Sequence, residues 1–170
     1  MTAVWWAVIV TGVVASAFDL ATRRVPNVLT FGTAAAALIF GLVTQGSSGL
    51  GWALAGWAVG CTLFLPWFLL GGMGAGDVKL LAGLGAWLGP MGALWAALYA
   101  GLIGGPLALI VAASSGYMKQ SFTNLWGLLM FWRVMGIRPL PDLTLRTAQS
   151  PRLPYALPIA AGAGLALWLR

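Results

Sequence analysis

The chain has 170 residues, 61% of them hydrophobic and only 7% charged, with a net charge of +6; soluble domains carry about 25% charged residues. It holds no histidine and one cysteine, Cys61, which excludes a Ser-His-Asp triad, a Cys/His zinc site and an intrachain disulfide. The basic residues lie in loops between apolar runs and no nucleic-acid motif accompanies them, so the expected class is an all-α polytopic membrane protein, one domain over residues 1–170, with no nucleic-acid partner.

A spanning helix needs about 20 apolar residues, within a range of about 17–25. The first run is Thr2 to Phe18. Its end, Ala15-Ser16-Ala17, resembles a signal-peptide cleavage site, but no basic stretch precedes it and it reads as a retained helix. The second run is Val28 to Val43, and the third is Leu50 to Leu70 with Pro66 as a candidate kink. The fourth, Val78 to Leu88, stops at Gly89-Pro90, and the fifth is Met91 to Ala113. The sixth runs from about Pro154 to Leu169. The fourth and sixth are short, as for helices that start in the headgroup region or cross a thinned bilayer. Residues 115–153 form the one long connection. Within it, Ser121 to Met135 carries Phe122, Leu125, Trp126, Leu129, Met130 and Trp132 and reads as an interfacial helix. Arg138-Pro139-Leu140-Pro141 and Pro151-Arg152-Leu153-Pro154 read as irregular.

Counting basic residues by loop orients the chain. Arg23 and Arg24, Lys79, and Lys119, Arg133, Arg138, Arg146 and Arg152 fall on one side of a six-helix arrangement, and Arg170 on the other. The positive-inside rule then places these loops in the cytoplasm and both termini on the extracytoplasmic side. A five-span arrangement without the last run also satisfies the rule. Ten tryptophans fit interfacial belts. Gly56-x-x-x-Gly60, Gly85-x-x-x-Gly89 and Gly101-x-x-x-Gly105 read as internal helix packing rather than dimerisation, and Cys61 as packing.

Three acids remain: Asp19, Asp77 and Asp142. The topology puts Asp19 and Asp77 at helix ends on the same membrane face. An ionisable group in a membrane segment is a functional-site hypothesis, since insertion scales assign it about 2.5–3.5 kcal/mol at a helix centre. Two carboxylates that share a site retain one proton between them, so one can activate water while the other protonates a leaving nitrogen. Each has a structural alternative. Asp77 is also a good helix N-cap, and Asp19 stands four residues before Arg23, an ion-pair spacing. Gly71, Gly72, Gly74 and Gly76 precede Asp77. They predict a turn with positive φ and unpaired backbone groups that a substrate strand can use. Asp142 lies between basic residues and reads as a solvated loop group. Lys79 reads as snorkelling to headgroups; a Ser–Lys dyad with Ser16 would leave both aspartates unexplained.

Met73-Gly74-Ala75-Gly76-Asp77-Val78-Lys79-Leu80 resembles the GxGD signature of type IV prepilin peptidases. Asp19-x-x-x-Arg23-x-Val25-Pro26-Asn27-x-Leu29-Thr30 resembles the block around that family's first aspartate, and Leu153-Pro154-Tyr155-Ala156 followed by Gly162 the opening of its last helix. The resemblance implies a cofactor-free aspartic endopeptidase of the bacterial cytoplasmic membrane. It implies Asp19 and Asp77 as the catalytic pair, and its substrates are prepilins cut between a short basic leader and an apolar helix. The Gly74–Gly76 turn then positions the substrate. The cysteine-bearing cytoplasmic insertion of methylating members is missing, so the chain looks like the short form of tight-adherence (Flp) systems. Two rival readings are a small proton- or cation-coupled transporter using the same aspartates, and a non-enzymatic assembly subunit that docks through residues 115–153.

Overall fold

The computed structural model describes residues 2–116, 118–136 and 153–169. All regular structure in them is helical: α1 (Thr2–Thr22), α2 (Asn27–Leu69), α3 (Ala75–Ser114), α4 (Met118–Met135) and α5 (Ala156–Trp168). Helices α1, α2 and α3 are long and apolar enough to cross a membrane, and the chain is an all-helical membrane protein. Lipid leaves backbone groups no water to bond, so each segment satisfies them internally as helix.

Two helices are too long for one crossing. At 43 and 40 residues, α2 and α3 would each extend about 60 Å if straight, twice the bilayer's hydrocarbon thickness of about 30 Å. Each instead folds back at a glycine. Gly46 (φ 67°) breaks α2 and Gly89 (φ 71°) breaks α3 just before Pro90; both lie in the left-handed region that a side chain disfavours. The reversal shows in contacts between residues eight apart. A Cβ built on Gly41 would stand 2.6 Å from the carbonyl oxygen of Gly49, and one on Gly85 3.1 Å from the Cβ of Ala93. The breaks fall in the gaps between the second and third apolar runs and between the fourth and fifth. Pro66 sits inside α2 with helical φ and ψ. The proline ring fixes φ near −65°, a helical value, and Leu70 N–H still donates to its carbonyl at 3.0 Å.

Close approach of small residues sets the packing. The strongest pairings are α2 with α3, α3 with α5 and α1 with α5, whereas α1 touches α2 only lightly. A Cβ on Gly162 would lie 2.5 Å from Ala96 O and 2.6 Å from Ala100 N, and one on Gly12 2.9 Å from the Ala160 Cβ. Backbones in contact maximise dispersion where lipid offers helices no hydrophobic drive to associate. Leu80, Leu81, Leu84, Leu88 and Ile159 are wholly buried. Trp6, Val13, Val43, Leu102 and Ile110 stay exposed, which suits a lipid-facing surface.

One buried polar cluster ties α1, α2 and α3 together. The Thr11 and Thr33 hydroxyls are 3.1 Å apart, and Trp87 Nε1–H donates to Thr33 O at 3.0 Å and to Thr33 Oγ1 at 3.1 Å. Trp87 is therefore an internal strut rather than part of an interfacial belt. Thr33→Val keeps the shape and the backbone acceptor but strands the Thr11 hydroxyl. It is expected to lower stability by about 0.6–1.7 kcal/mol, the range of interhelical hydrogen bonds measured in membranes. Unfolding of wild type, Thr33→Val, Thr11→Val and the double variant in one detergent measures that coupling.

Helix α4 covers the region read as interfacial, beginning at Met118. Phe122, Leu125, Trp126 and Met130 are exposed along it, and it touches α3 only slightly. The stretches Arg138-Pro139-Leu140-Pro141 and Pro151-Arg152, together with Asp142 and Arg146, lie outside the described residues.

Candidate active site

Three separate pieces of the sequence converge at one end of the bundle. The first is the end of α1. Its last turn carries Asp19, which is buried at 7% exposure. The helix stops because Arg23 turns left-handed (φ 56°) while its N–H still donates to Asp19 O at 2.9 Å. The Thr22 hydroxyl bonds both Phe18 O (2.8 Å) and Arg24 O (3.1 Å), and Pro26, extended at φ −62°, starts α2. The second piece is the turn from α2 into α3, which ends in Asp77. The third is the start of α5.

Asp19 and α5 are directly joined. The Ala156 backbone N–H donates to Asp19 Oδ2 at 3.1 Å. The first N–H groups of a helix have no internal partner and carry the positive end of its dipole. A buried carboxylate is matched there by a donor and a favourable field, across 137 positions of sequence. Asp77 is held in the same way by a different helix. It stands in the first turn of α3, and its Oδ2 accepts the Gly74 N–H at 3.2 Å, the reciprocal half of a capping box. The site is thus built on two helix N-termini with one carboxylate at each.

Tyr155 stands at the start of α5, one residue before the Ala156 N–H that bonds Asp19. It belongs to the Leu153-Pro154-Tyr155-Ala156 motif, yet nothing in its spacing ties it to Asp19; only the docking of α5 does.

The neighbours of each aspartate also meet. A Cβ on Gly76 would touch the Val25 Cβ at 3.4 Å, and Lys79 Nζ donates to Asn27 Oδ1 at 3.0 Å while lying 5.2 Å from the Phe31 ring centre. Lys79 is therefore turned onto the start of α2, where an amide oxygen and an aromatic face lie within its reach. Val25 and Asn27 follow Asp19, and Gly76 and Lys79 flank Asp77, so these contacts lock the two blocks together.

The glycine turn differs from its sequence reading. Of Gly71, Gly72, Gly74 and Gly76, only Gly71 has positive φ (78°). Gly74 is extended (φ −78°, ψ 147°), and Gly76 is already inside α3. The turn's N–H groups are largely occupied: Gly71 donates to Phe68 O, Gly72 to Trp67 O, Gly74 to Asp77, and Asp77 to Gly74 O. Strand-like pairing with a substrate through those donors is not available in this conformation. What Gly74 and Gly76 provide is room. A Cβ on Gly74 would stand 3.1 Å from Asp77 Oδ2.

Among the described residues, no group of three or more Cys, Asp or Glu side chains is placed to hold a metal ion. The conserved profile of the type IV leader peptidase family matches residues 6–109 of the chain, a stretch that includes both aspartates, the glycine turn and the whole hairpin of α2. No curated protein and no solved structure matches the chain.

Proposed function

We propose that this chain, which belongs to the type IV leader peptidase family, removes the short basic leader of prepilin-like precursors by water activated between Asp19 and Asp77. Family membership makes it a peptidase and a membrane protein. What supports the mechanism is that Asp19 and Asp77 are each anchored to a helix N-terminus and that their sequence neighbours meet, Gly76 with Val25 and Lys79 with Asn27. In the reaction, one carboxylate takes a proton from water as its oxygen attacks the scissile carbonyl. The protonated partner gives its proton to the nitrogen as the C–N bond breaks. No cofactor enters these steps.

The charge bias of the loops supports action at the cytoplasmic face of a bacterial inner membrane, with six crossings and both termini outside. A precursor whose basic leader stays in the cytoplasm and whose apolar helix enters the bilayer presents its junction at the depth of the two aspartates. The resemblance of the two aspartate blocks supports an Flp-type pilin as substrate, and the single cysteine supports hydrolysis without N-methylation. Gly74 and Gly76 serve by leaving space around Asp77 and against Val25.

Co-expression with an Flp-type prepilin in a host lacking its own leader peptidase tests this reading. Leader loss is followed by gel shift and mass spectrometry, and the mass of the new N-terminus reports methylation. A processed, unmethylated pilin is expected; an intact precursor beside a folded, membrane-inserted chain rejects the assignment. In the same assay Gly74→Ala crowds Asp77 Oδ2 and Gly76→Val drives into Val25. Gly76→Val is expected to slow cleavage by about a hundredfold, the scale of a 1 Å misplacement, and Gly74→Ala, to which Asp77 Oδ2 must give by a few tenths of an ångström, by about tenfold. Gly76→Ala, whose methyl makes an ordinary contact with Val25, is expected to stay within a few-fold of wild type.

A further inference from the structure

Two routes through the fold join Asp19 to Asp77. One runs through α5, whose Ala156 N–H holds Asp19 and whose length packs against α3. The other runs through the start of α2. Direct packing of α1 adds little, since it touches α2 and α3 only lightly. The second route is stiff on both sides. From Asp19 the chain reaches Asn27 through a linker with little freedom. Arg23 N–H bonds Asp19 O, the Thr22 hydroxyl ties Phe18 O to Arg24 O, and the Pro26 ring fixes its own φ. On the other side, Lys79 follows Asp77 within one turn of α3. The two sides meet where Lys79 Nζ donates to Asn27 Oδ1 at 3.0 Å and lies 5.2 Å from the Phe31 ring centre. Residues two apart on a helix do not face each other, so Asp77 and Lys79 leave α3 in different directions.

We infer that Lys79 and Asn27 are positioning residues: their hydrogen bond clasps the start of α2 to the start of α3 and fixes the separation of the two carboxylates. The inference rests on the peptidase reading above. The bond is exposed, and a solvated hydrogen bond exchanges for one with water, so it adds little to the stability of the fold. Catalysis is far more sensitive, because a reacting group displaced by about 1 Å loses about a hundredfold in rate. That difference separates a clasp from a strut. A strut fails by unfolding, whereas a clasp fails by slowing the chemistry in a chain that still folds and still binds its substrate.

Full-length chain in one detergent is assayed on one prepilin, with kcat, KM and the thermal midpoint measured for each variant. Lys79→Met and Asn27→Leu are each expected to lower kcat by about tenfold or more. Their KM should stay within about twofold of wild type and their midpoints within about 2 °C. The double variant is expected to be no slower than the slower single one, because the two side chains share one interaction. Asn27→Asp keeps an oxygen for the Lys79 ammonium and is expected to stay within about threefold of wild type. Lys119→Met removes a positive charge from the exposed side of α4 and is expected to change nothing. Losses that multiply in the double variant overturn the clasp but leave the peptidase reading standing. So does a loss for Lys79→Met without one for Asn27→Leu, or an Asn27→Asp variant as slow as Asn27→Leu. A raised KM at unchanged kcat would make Lys79 a substrate-binding group, and midpoints lowered by about 10 °C would make the pair structural; either result overturns the clasp as well. No cleavage by wild type overturns both readings.

Discussion

Asp19→Asn and Asp77→Asn are each expected to lower leader cleavage by about a thousandfold or more while the protein stays folded and inserted. The structure explains why these two substitutions separate chemistry from architecture. Asp19 accepts the Ala156 N–H and Asp77 accepts the Gly74 N–H, each through one oxygen. An asparagine carbonyl oxygen can occupy the same place and accept the same bond, so both helix ends remain capped. What asparagine removes is the ability to take or give a proton, a contribution of about 10²–10⁴-fold per general acid or base. Alanine would remove the bond as well, leaving a buried N–H unpaired at about 1–3 kcal/mol, and would confound the two roles. The measurements are the initial rate of leader loss and the thermal midpoint in one detergent. Wild-type rates in either asparagine variant would remove that aspartate from the mechanism. Wild-type midpoints with lost cleavage would assign the pair to catalysis, not to holding α1, α3 and α5 together. Flux of protons or cations that depends on both aspartates, without cleavage, would move the assignment to transport.

Gly56→Leu is the substitution expected to harm the fold most. Gly56 and Gly85 face each other across the crossing of α2 and α3. A Cβ on Gly56 collides with Gly85 O and stands 2.8 Å from Gly89 Cα, while one on Gly85 reaches Gly56 O at 2.5 Å. The obstacles are backbone atoms, which no rotamer change relieves. Overpacking a tight core costs about 1–3 kcal/mol and sometimes more. At about 2–4 °C per kcal/mol for a chain of this size, the midpoint should fall by roughly 2–12 °C or the variant should aggregate. Gly51→Leu, at a position where a Cβ meets nothing within 4 Å, is expected to match wild type. Equal midpoints for the two variants would mean that these helices do not pair through Gly56. The crossing also sets the start of α3, so a folded Gly56→Leu protein should cleave poorly through a displaced Asp77.

The glycine pairs show how far the sequence can be followed. The motif Gly56-x-x-x-Gly60 does pack internally, against Gly85 and against Leu81 and Ala82. Gly85-x-x-x-Gly89 answers it, with Trp52 covering Gly89. The third, Gly101-x-x-x-Gly105, looks the same on paper but meets nothing; spacing shows that backbones can approach, not which partner arrives. The four glycines before Asp77 teach the same lesson. Composition predicts a turn there, but only Gly71 uses the left-handed freedom of glycine, while Gly74 and Gly76 are needed for space.

Hydropathy decides the class of this chain, because a helix in lipid must be apolar along its whole length, and that is a local property. The two folds within α2 and α3 are legible for the same reason: Gly46 and Gly89 interrupt runs too long for one crossing. The absence of histidine and the two acids among the apolar segments likewise direct the proposed chemistry to carboxylates. Tertiary structure alone decides which helices touch. The last helix, α5, inserts between α1 and α3, bringing the Ala156 N–H to Asp19. Nothing local in residues 153–169 encodes that contact. It arises from small residues at Gly12 and Ala160, and at Gly162, Ala96 and Ala100, whose shape complementarity exists only once the helices are side by side. A cavity lined by Phe64 and Trp67 of α2, Met73 of the turn, Ala97 of α3 and Tyr155 is equally a product of assembly, since no one of these elements encloses space by itself.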